Sequence, residues 1–287
     1  MQPIARPAAE ALGNAKALDR WAKPLTTFAE KLARPGFVKD LLAGTWLGHP
    51  LHPVLTDVPI GAWTSSWVLD VVGGEKAEPA ADALLGVAIV SSLPTAAAGL
   101  ADWVDTWGKT RRIGVAHAVG NLTALSVFGA SLAARRAGLR KLGFALSTVG
   151  MGVASASAYL GGHLTFGKGI GVDNTAFDQE PAQWAEVLTV DELSDGKLIH
   201  TTADGADILL FRDGDDVYAI SDTCTHRGCS LSDGTVKTGT VICPCHGSTF
   251  RLADGGVVCG PATAPQPAYH TRIVEGRVEV RVRESRH

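Results

Sequence analysis

Four long apolar segments in the first part of the chain restrict its fold more than any other feature. They cover approximately residues 54–72, 83–103, 113–134 and 142–164. Each is near the roughly 20 residues that a helix needs to cross the hydrocarbon core of a bilayer. The short connectors between them are rich in glycine and charge, as expected where a chain leaves lipid. A water-soluble bundle would show a charged face at helical period, and the last three segments show none. The sequence therefore predicts four transmembrane helices.

The second part of the chain has a different character. From Trp184 onward the sequence is polar, slightly acidic and built of short alternating stretches, which are typical of strands. The formal net charge is only −3, and no basic cluster is interleaved with aromatic residues, so nucleic acid is excluded as a partner. The first residues lack a short apolar core followed by a cleavage site, so we expect no cleavable secretory signal.

These patterns predict an α+β protein whose helices and strands lie in separate domains. Residues 8–43 alternate apolar and charged residues at helical spacing, which indicates an interfacial amphipathic helix. We therefore predict an amphipathic segment at 1–45, an all-α transmembrane four-helix domain at 46–178 and an all-β barrel or sandwich at 182–287.

Several histidines fall near the ends of the predicted membrane helices. If the four helices run up and down, four histidines lie at the same membrane face: His49, His52, His117 and His163. Histidines at helix ends are often only interfacial. The alternatives are a b-type haem, with His117 and His163 as the preferred axial pair and His52 as the substitute, or a quinone site that uses histidine for proton transfer.

The stretch GHPLHPVLTDVPIGAW, together with YLGGHL and GVDNTAF further on, resembles a family of four-helix bacterial membrane proteins. The resemblance covers approximately residues 45–178. It implies a helical membrane fold and supplies no activity.

Two short loops carry the chemistry of the second domain. Cys224 and His226 form one pair, and Cys243 and His246 form the other, so each loop offers one thiolate and one imidazole. This set suits a [2Fe-2S] cluster in which one iron has two cysteines and the other has two histidines. Zn²⁺ accepts the same ligands, but zinc sites usually pair ligands of one type along the chain, whereas here each loop mixes them. All five cysteines lie after residue 220, which indicates one local site.

The motifs CTHRGC and CPCHGS resemble those of the Rieske proteins of quinol-oxidising cytochrome complexes. The resemblance covers approximately residues 184–284. Phe250 stands where those proteins usually carry tyrosine, and the lost hydroxyl should lower the reduction potential. The resemblance implies three further features: a disulfide between Cys229 and Cys245, a Ser248 hydroxyl beside Gly247 that donates to a bridging sulfide, and a covering loop with Pro261.

Together these features predict a membrane-anchored Rieske protein that passes single electrons between a membrane donor, a quinol or a haem, and an acceptor. One alternative is a tethered ferredoxin-like carrier that serves a soluble oxygenase or reductase, and another is an iron-sulfur sensor. No catalytic iron domain follows the Rieske motifs, so we expect an electron-transfer component rather than a complete enzyme. The expected partners are a redox protein or a quinone, and membrane lipid.

The predicted topology also bears on location. An even number of crossings places both termini on one side of a bacterial cytoplasmic membrane. Iron-sulfur domains are loaded in the cytoplasm, and export of a folded one needs a twin-arginine signal. We therefore expect the Rieske domain on the cytoplasmic side.

Overall fold

The computed structural model describes residues 5–283, so the predicted outer limits at residues 1 and 287 lie outside the described residues. The chain divides into two compact units. One contains the residues up to Arg34 together with Leu51–Ile170, and the other contains Pro35–Pro50 and the chain from Gly171 onward. The predicted domain limits stay a prediction, but residues 35–50 group with the second unit although they precede the long helices.

The helices, numbered along the chain, confirm the all-α character of the first part. They are α1 (Arg6–Asn14), α2 (Asp19–Leu32), α3 (Phe37–Ala43), α4 (Leu51–Val72), α5 (Glu78–Trp103), α6 (Gly108–Arg136) and α7 (Arg140–Lys168). Of these, α3 belongs to the second unit. The predicted amphipathic helix is thus three short helices, and the break between α2 and α3 falls at Pro35 and Gly36, where Gly36 has a φ of 110°.

Three helical spans are long and apolar enough to cross a membrane: Glu75–Trp103, Gly108–Arg136 and Arg140–Lys168. The helix α4 is not among them within the described chain, and it carries one histidine and two aspartates. The four apolar segments predicted from sequence lie within α4 to α7.

Small residues let the long helices pack closely. A Cβ on Gly114 would overlap Cδ1 of Trp103, and a Cβ on Gly150 would lie 2.8 Å from Cε1 of Phe128. Trp63 stacks on Phe128, with ring centroids 4.8 Å apart. Lipid supplies no hydrophobic drive for helix association, so this close packing stabilises the bundle.

An ionic network joins the four long helices at one end of the bundle. The Arg135 side chain, fully buried, donates to Asp70, Asp82 and Ser147. Arg140 donates to the same two aspartates. Because these residues come from the end of α4, the start of α5, the end of α6 and the start of α7, adjacent helices in the sequence run in opposite directions.

The second unit is built of antiparallel strands, which confirms the all-β prediction. The strands are β1 (Ala185–Thr189), β2 (Leu198–Ala203), β3 (Ala206–Asp213), β4 (Asp216–Ser221), β5 (Thr235–Lys237), β6 (Thr240–Ile242), β7 (Thr249–Arg251), β8 (Val257–Cys259), β9 (Ala268–Val274) and β10 (Arg277–Val282). A six-stranded sheet has the order β1-β10-β9-β4-β3-β2, and a four-stranded sheet has the order β5-β6-β7-β8.

Alternation along β3 places its side chains in two separate cores. Leu209 and Phe211 pack in the core that also holds Cys224 and Cys243, whereas Leu210 packs in the core on the other face. Successive side chains of a strand point to opposite faces, so β3 ties the large sheet to the part of the unit that carries the two loops.

Candidate metal centre

The two cysteine-histidine loops have the same backbone design. In the first loop the N–H of Cys224 donates to the carbonyl of Cys229, and the N–H of Gly228 donates back to the carbonyl of Cys224. In the second loop Cys243 and Ser248 form the first of these bonds, and Gly247 donates back to Cys243. Gly228 and Gly247 have φ values of 71° and 76°. Such values favour glycine, so each loop turns back on itself four residues after its first cysteine.

The thiols of Cys224 and Cys243 are buried and lie within hydrogen-bonding distance of each other. Cys224 donates to the sulfur of Cys243, and this bond, with the N–H groups of Cys245 and His246, lowers the pKa of Cys243 to about 6. The shared proton and burial raise the pKa of Cys224. Metal ligation requires thiolates, so Cys243 is the sulfur nearer to that state, and Cys224 must give up its proton when a metal binds.

The imidazole rings of the two loops lie next to each other. The rings of His226 and His246 have centroids 5.1 Å apart and planes at 89°. Burial lowers the pKa of His226 well below its usual value, and the positive charges of His246, Arg227 and Lys39 lower it further. A neutral imidazole is the form that ligates a metal, so the surroundings of His226 suit that role.

A disulfide joins the two loops, as the family resemblance implied. Cys229 and Cys245 are bonded, with their Cα atoms 6.5 Å apart. The bond uses one cysteine of each loop and leaves Cys224 and Cys243 as thiols. Cys259, on β8, is also a thiol and is half-buried rather than buried. The donor set that remains in the loops is two thiols and two imidazoles, which fits a [2Fe-2S] cluster with mixed ligands.

The loop that contains Pro261 packs directly on the second cysteine-histidine loop. Ser248 is fully buried, and its Oγ accepts a hydrogen bond of 3.1 Å from the N–H of Ala262. The hydroxyl proton of Ser248 is therefore available for another acceptor, as the predicted bond to a sulfide requires. Gly260 has a φ of 95°, and a Cβ there would lie 2.7 Å from Cα of Ser248.

Asn174, just after the helical part, is a site residue that the sequence did not reveal. Its Nδ2 donates to the carbonyls of Thr225 and His226 at 3.1 and 2.9 Å, and its backbone N–H donates to Thr225. It therefore holds the first loop from outside. The sequence feature that could have indicated Asn174 is its position in GVDNTAF, at the end of the stretch that resembles the membrane family. Nothing in that stretch indicates which loop Asn174 contacts.

The bundle histidines divide into two locations. The rings of His52 and His117 have centroids 6.5 Å apart and planes at 89°. His163 instead stacks on Tyr159 and has its Nε2 3.6 Å from Oε1 of Glu10. In the structure it is His52, therefore, that lies beside His117.

Comparison with known proteins gives two families in the order expected from the sequence. Residues 183–270 match the Rieske [2Fe-2S] domain. The anthranilate 1,2-dioxygenase ferredoxin subunit of Burkholderia cepacia is 37% identical over 35% of this chain and 94% of its own length. The chain belongs to the Rieske [2Fe-2S] family. Residues 48–174 match the predicted membrane protein family DUF2231, so the Rieske domain follows a membrane domain.

Other relatives of the Rieske domain are similar carriers. Ferredoxin CarAc of Metapseudomonas resinovorans is 34% identical over 34% of this chain and 92% of its own length. Among solved structures, the ferredoxin of carbazole 1,9a-dioxygenase from Nocardioides aromaticivorans IC177 is 29% identical over 35% of this chain and 99% of its own, with a TM-score of 0.34. The predicted electron-transfer role is confirmed at the level of the family.

Proposed function

We propose that Cys224, His226, Cys243 and His246 hold a [2Fe-2S] cluster through which the protein passes single electrons between a membrane donor and an acceptor. The observation that carries the proposal is the pair of matched loops, joined by a disulfide, that brings the two thiols and the two imidazoles together. When bound, such a cluster supplies a one-electron redox change.

Histidine substitutions in the full-length protein test the ligand set. His226→Ala and His246→Ala should each abolish the electron-paramagnetic-resonance signal of the reduced cluster, because no other side chain in the loops replaces the lost nitrogen. His200→Ala and His270→Ala, on exposed positions of β2 and β9, are the matched controls and should leave it intact. A normal signal in either ligand variant would remove the assignment.

The acceptor is proposed to be a soluble redox protein. The ferredoxin relative from Burkholderia cepacia carries the name of an anthranilate 1,2-dioxygenase subunit, which supports an oxygenase or a reductase as the acceptor. The disulfide and the Ser248 environment match the motifs of quinol-oxidising Rieske proteins, which supports a quinol as the donor. The test compares reduction of the cluster by a short-chain quinol in liposomes with its reduction by a soluble ferredoxin reductase. Reduction by the quinol supports a membrane donor, whereas reduction by the reductase alone supports a soluble donor.

The pair formed by His52 and His117 favours a second function for the bundle beyond anchoring. Nδ1 of His52 lies 2.9 Å from the carbonyl of Thr95, and Nδ1 of His117 lies 2.8 Å from that of Ser157. A carbonyl only accepts, so both Nδ1 atoms carry the proton and both Nε2 atoms carry the lone pair. This is the arrangement of histidines that ligate a metal or take a proton from a substrate.

We propose that this pair serves the membrane donor, either as axial ligands of a b-type haem or as proton acceptors for a quinol. Nε2 of His117 accepts from Asn121 at 3.0 Å, and this amide would have to move for iron to bind there. His163, the other predicted haem ligand, is the comparison. Loss of a reduced-minus-oxidised haem band in His52→Ala and His117→Ala, but not in His163→Ala, supports the haem.

If membranes that contain the overexpressed protein show no haem band, the haem is excluded. The quinol site then predicts that the His52 and His117 variants lose quinol-dependent reduction of the cluster. The exposed His49 is the matched control. Unchanged reduction in both variants would leave the bundle as an anchor in lipid.

We further propose that the Rieske domain lies on the cytoplasmic side of the membrane. The argument is the loading of iron-sulfur domains in the cytoplasm together with the four crossings predicted from the sequence, of which three correspond to spans in the described chain that are long and apolar enough to cross a membrane. Cys245 of the disulfide is exposed, and cytoplasmic thiols are kept reduced, which weighs against this side. A C-terminal reporter that is active only in the periplasm would contradict the proposal.

A further inference from the structure

Residues ahead of the long helices contact the loop that covers the proposed cluster. The backbone N–H of Gly260 donates to Oδ1 of Asp40 at 2.8 Å. The hydroxyl of Thr45 donates to the carbonyl of Gly260 at 2.6 Å. Both polar backbone groups of Gly260 are therefore engaged by one short segment that lies more than two hundred residues earlier in the chain.

This segment is an addition to the Rieske domain. The Rieske match begins at residue 183 and the membrane-family match at residue 48, so Asp40 and Thr45 lie outside both. The segment nevertheless groups with the compact unit that contains the two cysteine-histidine loops.

Gly260 also packs directly against the backbone of the second cysteine-histidine loop. A Cβ on Gly260 would lie 2.8 Å from the carbonyl oxygen of Gly247 and 2.9 Å from the backbone nitrogen of Ser248. These two residues directly follow His246. The carboxylate of Asp40 is thus separated from the second loop only by Gly260.

The hydrogen bond between Asp40 and Gly260 is partly buried, so water screens the charge of the Asp40 carboxylate only in part.

We propose that Asp40 is a positioning residue that lowers the reduction potential of the cluster, and that Asp40 and Thr45 together hold the Gly260 loop in place. The inference rests on the proposed cluster. Reduction adds one negative charge, which a nearby anion opposes.

The test is a redox titration of the full-length, cluster-loaded protein followed by electron paramagnetic resonance. Asp40→Asn should raise the potential by a change on the order of tenfold in the equilibrium constant for reduction, about 59 mV for one electron. Asparagine keeps an oxygen that accepts from Gly260, so Asp40→Asn removes charge without removing the bond.

An exposed carboxylate in the same unit provides the control. Asp215→Asn should not move the potential. A rise in the Asp40→Asn variant alone supports the proposal. No shift, a fall, or an equal rise in both variants overturns it.

Thr45→Val tests the holding role. It removes the hydrogen bond to Gly260 with little change in volume and should speed loss of the cluster absorbance several-fold. Equal loss rates in Thr45→Val and wild type overturn this part. Absence of any cluster in the wild-type protein would contradict the proposed function itself, whereas a normal cluster with unmoved potentials would contradict only this inference.

Discussion

Replacement of Arg135 by methionine should destabilise the helical bundle strongly. The Arg135 side chain has no exposed surface, and that of Asp70 is 3% exposed. In the wild type, Arg135 and Arg140 balance Asp70 and Asp82. The variant keeps two carboxylates against one guanidinium and leaves the hydroxyl groups of Ser131 and Ser147 without the donor they now contact.

The magnitude follows from burial. Removing one partner of a buried ion pair typically costs 3–5 kcal/mol, because the remaining charge stays away from water. Arg140 still contacts Asp70 and is partly exposed, so the lower end applies. We expect about 3 kcal/mol, which is on the order of a hundredfold in the unfolding equilibrium.

The assay is equilibrium unfolding in mixed micelles with a rising fraction of denaturing detergent, followed by the circular dichroism of the helices. Arg136 is the matched control, since it is the neighbouring arginine and is exposed. Asp70→Asn added to Arg135→Met restores the charge balance and should recover much of the loss. If Arg135→Met costs no more than Arg136→Met, the reasoning from the buried network is wrong.

Three further outcomes concern the Rieske domain. Replacing Cys229 and Cys245 by alanine removes a link across 16 positions and should lower stability by about 3 kcal/mol, read from the urea midpoint of cluster loss, with Cys259→Ala unchanged. Ser248→Ala removes the hydroxyl beside the cluster loop and should lower the reduction potential in a redox titration; an unchanged value would show that the hydroxyl does not donate to the cluster. Gly260→Ala should reduce iron content sharply, whereas Gly205→Ala, which shares a positive φ but would place its Cβ at an ordinary contact distance of 3.7 Å from Oε1 of Gln179, should not.

Local patterns in the sequence were sufficient for the elements and for the ligand motif. The apolar segments predicted the helices, and alternation predicted strands such as β3, because both depend on residues a few positions apart. The turn between β9 and β10 is equally local, since its two residues, Glu275 and Gly276, have positive φ values of 50° and 77°. The spacing of Cys224, His226 and their counterparts indicated mixed ligation for the same reason.

Contacts between distant parts of the chain could not be obtained in this way. The sequence put His117 on a predicted helix but did not decide that His52, rather than His163, lies beside it. That choice depends on how the helices are rotated against each other, which close packing at glycines decides.

The segment 35–50 shows the same limit most clearly. Its first part belongs to residues 8–43, whose alternation of apolar and charged residues predicts an amphipathic helix from the sequence alone. Its attachment to the Rieske domain rests on two hydrogen bonds between Asp40, Thr45 and Gly260. Backbone groups accept partners from any part of a chain, so only the tertiary structure decides which side chains reach them.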